Sequence, residues 1–323
     1  MDTKVLLRTA SRTFALGIER LPGILCEATT IAYLLLRVSD YLEDNEDMGT
    51  DRKVELLNTW VNVLREEENA EILTAQITQA DTTNPDAIVA RQAKEILQRL
   101  RSLPLDVQEI IIRHVIHSTQ GMARWTKKGP NVADEKEMDD YMFEVAGRVG
   151  YLVTQLFAWY SITIRRKEQE IMPLAREFGL GLQTVNVIRG LREDFERGWM
   201  YVPAKFLHDF GLTKEQLFDA QHRERALQVL DLLTEKAERH LQEALKYVKS
   251  LPWWQHGIRL GCIFPLMFAI RTLAVCRRNA QVFESEAKIT RSEVRKIVFD
   301  STLWGWSNAW LDRYYRQLNT IKP

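Results

Sequence analysis

The chain has 323 residues, and 44 Lys+Arg balance 44 Asp+Glu to give a formal net charge of zero. Such a balance excludes a nucleic-acid protein held by a general positive field, so function has to lie in a local site. Cys26, Cys262 and Cys276 lack metal-ligand spacing and fit a reducing compartment, where they pack as small apolar groups.

The N-terminus has no basic-then-apolar signal pattern. The longest uncharged apolar run, Leu260 to Ile270, is bounded by Arg259 and Arg271 and falls short of the roughly 20 residues a span requires. The expectation is a soluble, cytoplasmic chain, monomeric, that touches membranes only at its surface.

The first informative segment is SRTFALGIERLPG, Ser11 to Gly23. Its hydroxyls, Ser11 and Thr13, either cap a helix or, with Arg12, hold a phosphate before Pro22 and Gly23 break the run. Next comes IAYLLLRVSDYLEDNED, Ile31 to Asp47, an apolar helical run that ends in Asp40, Glu43 and Asp44. Carboxylates at i, i+3 and i+4 share one face within about 6 Å of helix axis. Like charges there repel. Either the helix end is simply solvated, or a hard cation completes it, and Mg²⁺ takes oxygen ligands of this kind while keeping phosphate oxygens as its others. Arg37, on the same face, pairs with a carboxylate or grips a diphosphate.

Asp51 to Arg65 reads as an amphipathic helix with Val54, Leu57, Val61 and Leu64 inward. Glu66 to Glu71 and Asp81 to Asp86 read as exposed connections, followed by two helices up to Gln120 with Pro104 near the break. His114 and His117 have no Cys or acid in step, which argues against zinc. In Met138 to Tyr160, the small residues Ala146, Gly147 and Gly150 interrupt an aromatic and aliphatic run. Glycine in a helix costs about 1 kcal/mol relative to alanine, so these make room for a ligand or for a close neighbouring helix.

In Gly179 to Pro203, the residues Gln183, Asn186, Arg189, Glu193, Asp194 and Arg197 recur at three- and four-residue steps, and Leu180, Leu182, Val185, Val187, Ile188 and Leu191 cover the rest. That stripe either faces an interior cavity or forms core ion pairs, such as Arg189 with Glu193 or Asp194. A short helix is expected from Gly211 to Ala220 and a longer one from Glu224 to Val248. Trp253 to Val275 should be a core helix kinked at Pro265, followed by a helix from Arg291 and a tail bearing Trp304, Trp306 and Trp310. No strand alternation, internal repeat or GxGxxG is present.

Four of these segments together resemble the squalene and phytoene synthase family over Ser11 to Ser301. They are SRTF at Ser11, LLLRVSDYLED at Leu34, YMFEVAGRVG at Tyr141, and LQTVNVIRGLRED at Leu182 with its sequel ERGWMYVP. CIFPLMFAIRTLAVC, from Cys262, is closer to the squalene branch. One departure stands out: the second acidic motif usually reads DxxED, and Gly190 replaces its first aspartate. That removes one carboxylate, and a glycine there hints that something packs against it.

The resemblance implies an all-α, single-domain bundle of residues 1–323 around a central cavity, of the isoprenoid synthase type, with the two acidic motifs facing each other across its mouth. It implies Mg²⁺ bound by Asp40, Glu43, Asp44, Asn186, Glu193 and Asp194, with Asp40, Asp44 and Asp194 serving ionisation. Diphosphate would be gripped by Ser11, Arg12, Thr13, Phe14, Tyr33, Arg37, Gln183, Asn186 and Arg189. Tyr141 would guide proton loss, and the ring faces of Phe14, Tyr33, Phe143 or Phe264 would steady a carbocation. The implied substrate is farnesyl diphosphate or another prenyl diphosphate. Two farnesyl groups would join head-to-head through a cyclopropylcarbinyl diphosphate, and NADPH, held by Arg12, Arg37 and Lys288, would reduce the product to squalene. Thr290 stands where a second basic residue for NADPH is expected, with Arg291 beside it. A relative lacking reduction would make dehydrosqualene, phytoene, a prenyl alcohol or a cyclised terpene.

Overall fold

A computed structural model describes residues 2–77 and 84–320; the side chain of Arg12 also lies outside the described residues. The all-α expectation holds, since every regular element among them is helical and β-pairing is confined to one isolated bridge between Asn131 and Met200. The fold comprises two compact units, one of residues 1–129 and 151–168 and the other of residues 130–150 and 169–323.

The first unit is built on the Gly23–Asp44 helix, whose residues from Leu25 to Leu42 are buried on nearly every side. Helices Thr50–Leu64, Pro85–Arg91 and Leu105–Lys128 pack on it. Ser39 and Thr119 satisfy each other across one of these contacts, 2.7 Å apart. At the C-terminal end, buried Lys53 donates to the Glu43 carbonyl at 2.7 Å, which caps an orphan acceptor of the last turn and offsets its negative dipole end. Three helices, not two, follow the second predicted connection, and the last of them runs on to Lys128. Pro104 is its N-cap, as the break predicted.

The second unit is organised around the His256–Cys276 helix, which runs unbroken through Pro265. Arg223–Ser250, Arg291–Trp304 and Asn308–Asn319 pack against it. It is long and apolar enough to cross a membrane, yet most of it is buried inside the protein, as a core helix is. The short helix expected over 211–220 is absent. Reciprocal bonds between Thr213 and Gln216 and i→i+3 bonds at Phe218 and Asp219 close tight turns instead, while Phe218 stacks on Phe195 with ring centres 4.3 Å apart. Between Glu135–Met142 and Arg148–Tyr160, the residues Phe143–Gly147 form a single π-helical turn.

The small residues around that turn serve helix packing. A Cβ built on Gly150 would sit 2.1 Å from the Ala175 carbonyl oxygen, and one on Gly179 would sit 2.3 Å from that of Ala146. Glycine is required because the backbones of this segment and of the Glu168–Arg189 helix touch.

Candidate active site

The first acidic segment occupies the last turn of the Gly23–Asp44 helix, which carries no basic residue there. Carboxylates at a helix C-terminus oppose its negative dipole end as well as each other, so positive charge must be imported. Arg37 supplies part of it. Its Nη1 donates to Asp40 Oδ2 at 2.8 Å, and its Nε and Nη2 fork onto Asp86, Nε at 2.9 Å from Oδ1. Burial pushes the Asp40 carboxyl up to about 6; Arg37 pulls it down, and the charges of Asp44 and Asp86 push it further up. Glu43 is buried and Asp44 exposed.

Asp86 corrects the sequence reading. Residues 81–83 of the predicted connection lie outside the described residues, but Asn84 caps a helix in which Asp86 occupies the first turn. Its carboxylate is thereby delivered to Arg37, 49 residues away. The Asn-Pro-Asp triplet is a helix-start signal, and that was the only sign of it available in the sequence.

At the start of this unit, Ser11 is the N-cap of Arg12–Ile18, its Oγ accepting from Phe14 N at 3.1 Å, so the capping alternative is realised. Thr13 is exposed, and Phe14 lies against Tyr33 with ring centres 5.8 Å apart. Burial pushes the Tyr33 phenol up to about 12, which keeps it neutral. Two cavities in this unit, of about 430 and 310 Å³, are lined by residues such as Glu66, Lys94 and Arg101, and Thr3, Glu95 and Arg99; neither includes a residue singled out above.

In the second unit the polar stripe does not run along one helix. Glu168–Arg189 ends, Gly190 is the N-cap of Leu191–Glu196, and the chain turns there. Gln183 accepts from Asn186 Nδ2 at 3.3 Å, with Asn186 and Glu193 exposed. The expected pairing of Arg189 with Glu193 or Asp194 is replaced: Arg189 Nε lies 2.9 Å from Glu286 Oε1, and Asp194 Oδ1 accepts from Arg197 at 2.5 Å. Nothing is squeezed against Gly190, because a Cβ there would meet only the Asn186 carbonyl oxygen at 3.4 Å and an Asp194 oxygen at 3.9 Å. Its role is at the junction of two helices, not in close packing.

Glu286, which sequence reasoning missed, also pairs with Lys288, so one carboxylate joins the exposed Lys288 to Arg189. Thr290 is the N-cap of Arg291–Trp304, in a capping box with Glu293, which explains a hydroxyl at that position.

Tyr141 is buried on the Glu135–Met142 helix and donates its hydroxyl proton to that of Tyr201 at 3.0 Å. The two rings stack 4.7 Å apart, and Trp199 stacks on Tyr201 at 5.6 Å, giving a three-ring column. Tyr201 and Trp199 were visible only as part of GWMYVP. Arg148 and Arg176 lie over the Phe143 ring at 4.8 and 5.7 Å from its centre. Phe264 is fully buried beside Phe268.

Among the described residues no three His, Cys, Asp or Glu side chains already converge on a metal-sized point. The donor chemistry of the first segment nonetheless fits a hard cation: Asp40 lies within the fields of Asp44 and Asp86, and all three present carboxylate oxygens.

Comparison with known proteins places these features. TcSQS in complex with a ligand superposes with a TM-score of 0.84 at 22% sequence identity, covering 98% of this chain and 90% of that one. A dehydrosqualene synthase does so with a TM-score of 0.64 at 16% identity, over 98% and 95%. The fold is thus the all-α fold of the isoprenoid synthases. A model of the squalene/phytoene synthase family matches residues 7–293, and the chain belongs to that family, a family of prenyltransferases. It is 28% identical over 312 residues to squalene synthase of Bos taurus, spanning 97% of this chain and 72% of that protein.

Proposed function

We propose that the chain, acting over residues 1–323 as one squalene/phytoene synthase domain, condenses two farnesyl diphosphates head-to-head and then reduces the product to squalene with NADPH. The observation that carries this reading is the pair of carboxylates, Asp40 and Asp86, held on Arg37 at the end of a buried helix, with the charge of Asp44 acting on Asp40. Structural ion pairing alone would not call for a third acid beside two that already share one arginine.

Asp40, Glu43 and Asp44 would hold Mg²⁺ at the first segment, and Asn186, Glu193 and Asp194 at the second. When bound, the metal supplies positive charge for a departing diphosphate. With its Nε–Nη2 fork on Asp86 and Nη1 on Asp40, Arg37 would offer diphosphate oxygens its charge and its remaining N–H groups, and Arg189, beside Glu286, would do the same at the second segment. Arg12, Ser11 and Thr13 would add contacts near the first, and Gln183 near the second. Phe14 and Tyr33 offer ring faces to an allylic cation. Tyr141, oriented by Tyr201, would steer the proton lost as the cyclopropyl ring closes. A tyrosine hydroxyl is a weak base, so orientation is its main contribution. NADPH, when bound, would supply the hydride; Lys288 and Arg291 are exposed cations suited to its phosphates.

A second reading, a relative that stops before reduction, is favoured by one observation. Thr290 is committed to a helix cap, so the second basic residue of the cofactor pair is missing. Mass spectrometry of products from farnesyl diphosphate and Mg²⁺ decides between them. Squalene formed only with NADPH supports the first, and one product unchanged by NADPH supports the second.

A further inference from the structure

In the second unit, one carboxylate bridges two cations. Glu286 Oε1 lies 2.9 Å from Arg189 Nε, and Glu286 Oε2 pairs with Lys288 Nζ. Arg189 ends the Glu168–Arg189 helix, where the dipole already favours a positive charge, and Lys288 is 66% exposed and therefore solvated. Neither cation needs the acid for its own stability. Exposed pairs of this kind are worth little, so Glu286 is held by contacts that are easily broken.

The bridge is also poorly aligned. Arg189 Nε is shielded from solvent, yet it has no hydrogen-bond acceptor among the described residues, so its approach to Glu286 is a charge contact without hydrogen-bond geometry. A phosphate group, with three free oxygens in place of two, can meet both cations and also align with that N–H. The backbone around Glu286 is fixed on both sides. Val282, Phe283 and Ala287 are buried, the Ala280–Phe283 turn packs against Leu191–Glu196, and Thr290 caps the helix that follows. Glu286 can therefore leave by turning its side chain, with no need for the segment to refold.

We propose that Glu286 is an internal stand-in for a phosphate group: it fills the site between Arg189 and Lys288 in the free protein, is displaced when a diphosphate binds, and competes for the same cations as the diphosphate leaves. The inference rests on the reading that Arg189 meets the substrate's diphosphate, and it names the residue that sets how tightly that group is held.

Calorimetric titration of the full chain with inorganic pyrophosphate, with a chelator present, tests it without turnover. Glu286→Gln and Glu286→Ala should each bind pyrophosphate about fivefold more tightly than wild type, and most of that gain should vanish in an Arg189→Gln background. Either variant suffices if the other does not fold. Equal or weaker binding in a folded variant overturns the proposal, and so does a gain that persists in full without Arg189. A protein that takes no pyrophosphate with or without Glu286 overturns it as well. So does a gain confined to an adenosine bisphosphate, which would assign the site to a nucleotide. Failure of the reaction looks different: a chain that never turns over farnesyl diphosphate but gains pyrophosphate affinity keeps this inference, whereas turnover with unchanged affinity keeps only the reaction.

Discussion

Arg37 and Asp40, three residues apart on one helix, form a 2.8 Å ion pair whose guanidinium is forked from its other side by Asp86. The arginine is therefore held in a fixed orientation before any substrate arrives. Arg37→Lys keeps the charge but loses the fork, and Asp86→Ala loses the orienting carboxylate. Each should lower pyrophosphate release from farnesyl diphosphate by about tenfold or more while leaving the helical circular-dichroism signal unchanged. Wild-type rates in Asp86→Ala would show that its pairing is only structural.

His240 should set a pH dependence of stability. Its Nδ1 lies 2.5 Å from Glu177 Oε2, and its Nε2 lies 3.0 Å from Lys236 Nζ and 3.6 Å from Asp139 Oδ1; Glu135 and Arg176 flank the cluster. Burial lowers its pKa, but the bonds to Asp139 and Glu177 outweigh this, and the net shift is upward. A raised histidine contributes stability below its unfolded value near 6.5, and loses it as pH rises through the folded value. Asp139 and Glu177 are both lowered, so their contribution is present above about pH 4 to 4.5 and is lost as pH falls further. Thermal melts should show wild type losing stability above pH 6.5, whereas His240→Gln should start about 1–3 kcal/mol lower and vary little there.

Gly150→Ala should be among the most damaging small substitutions, because the new methyl carbon would fall 2.1 Å from a backbone oxygen that no rotamer change can move. A loss of about 3 kcal/mol or outright failure to fold is expected in urea titration. A melting curve like that of wild type would mean that the two backbones separate easily.

Gly190→Asp should behave in the opposite way. The position has φ −96°, is an N-cap and has room for a Cβ, so aspartate there should cap Leu191–Glu196 and leave stability unchanged or slightly raised. If a magnesium ligand is missing from this chain, the half-maximal Mg²⁺ concentration for turnover should fall several-fold. An unchanged requirement would show that the second segment works fully without it.

The sequence made the helices legible because their periodicity is strong, and it made Asp40 and Tyr141 legible because they stand in motifs. It could not show Asp86, Glu286 or Tyr201, whose roles arise from contacts 49, 97 and 60 positions distant in the chain, to Arg37, Arg189 and Tyr141. The polar stripe was misread as one face because three- and four-residue spacing continues through Gly190 even though the helix does not. The short helix expected after Gly211 did not form although Thr213 and Gln216 exchange the bonds of a capping box, because the chain after it closes i→i+3 turns at Phe218 and Asp219 instead of propagating.

The central claim is that oxygen-bound magnesium and arginine together release a prenyl diphosphate from its chain. Pyrophosphate appearance from farnesyl diphosphate, followed as Mg²⁺ is titrated into wild type and into Asp40→Asn, Asp44→Asn and Asp194→Asn, tests it most directly. The account predicts saturable, chelator-sensitive release in wild type and little or none in the three folded variants. Release that ignores chelation, or that persists at wild-type rate in Asp44→Asn, would contradict it.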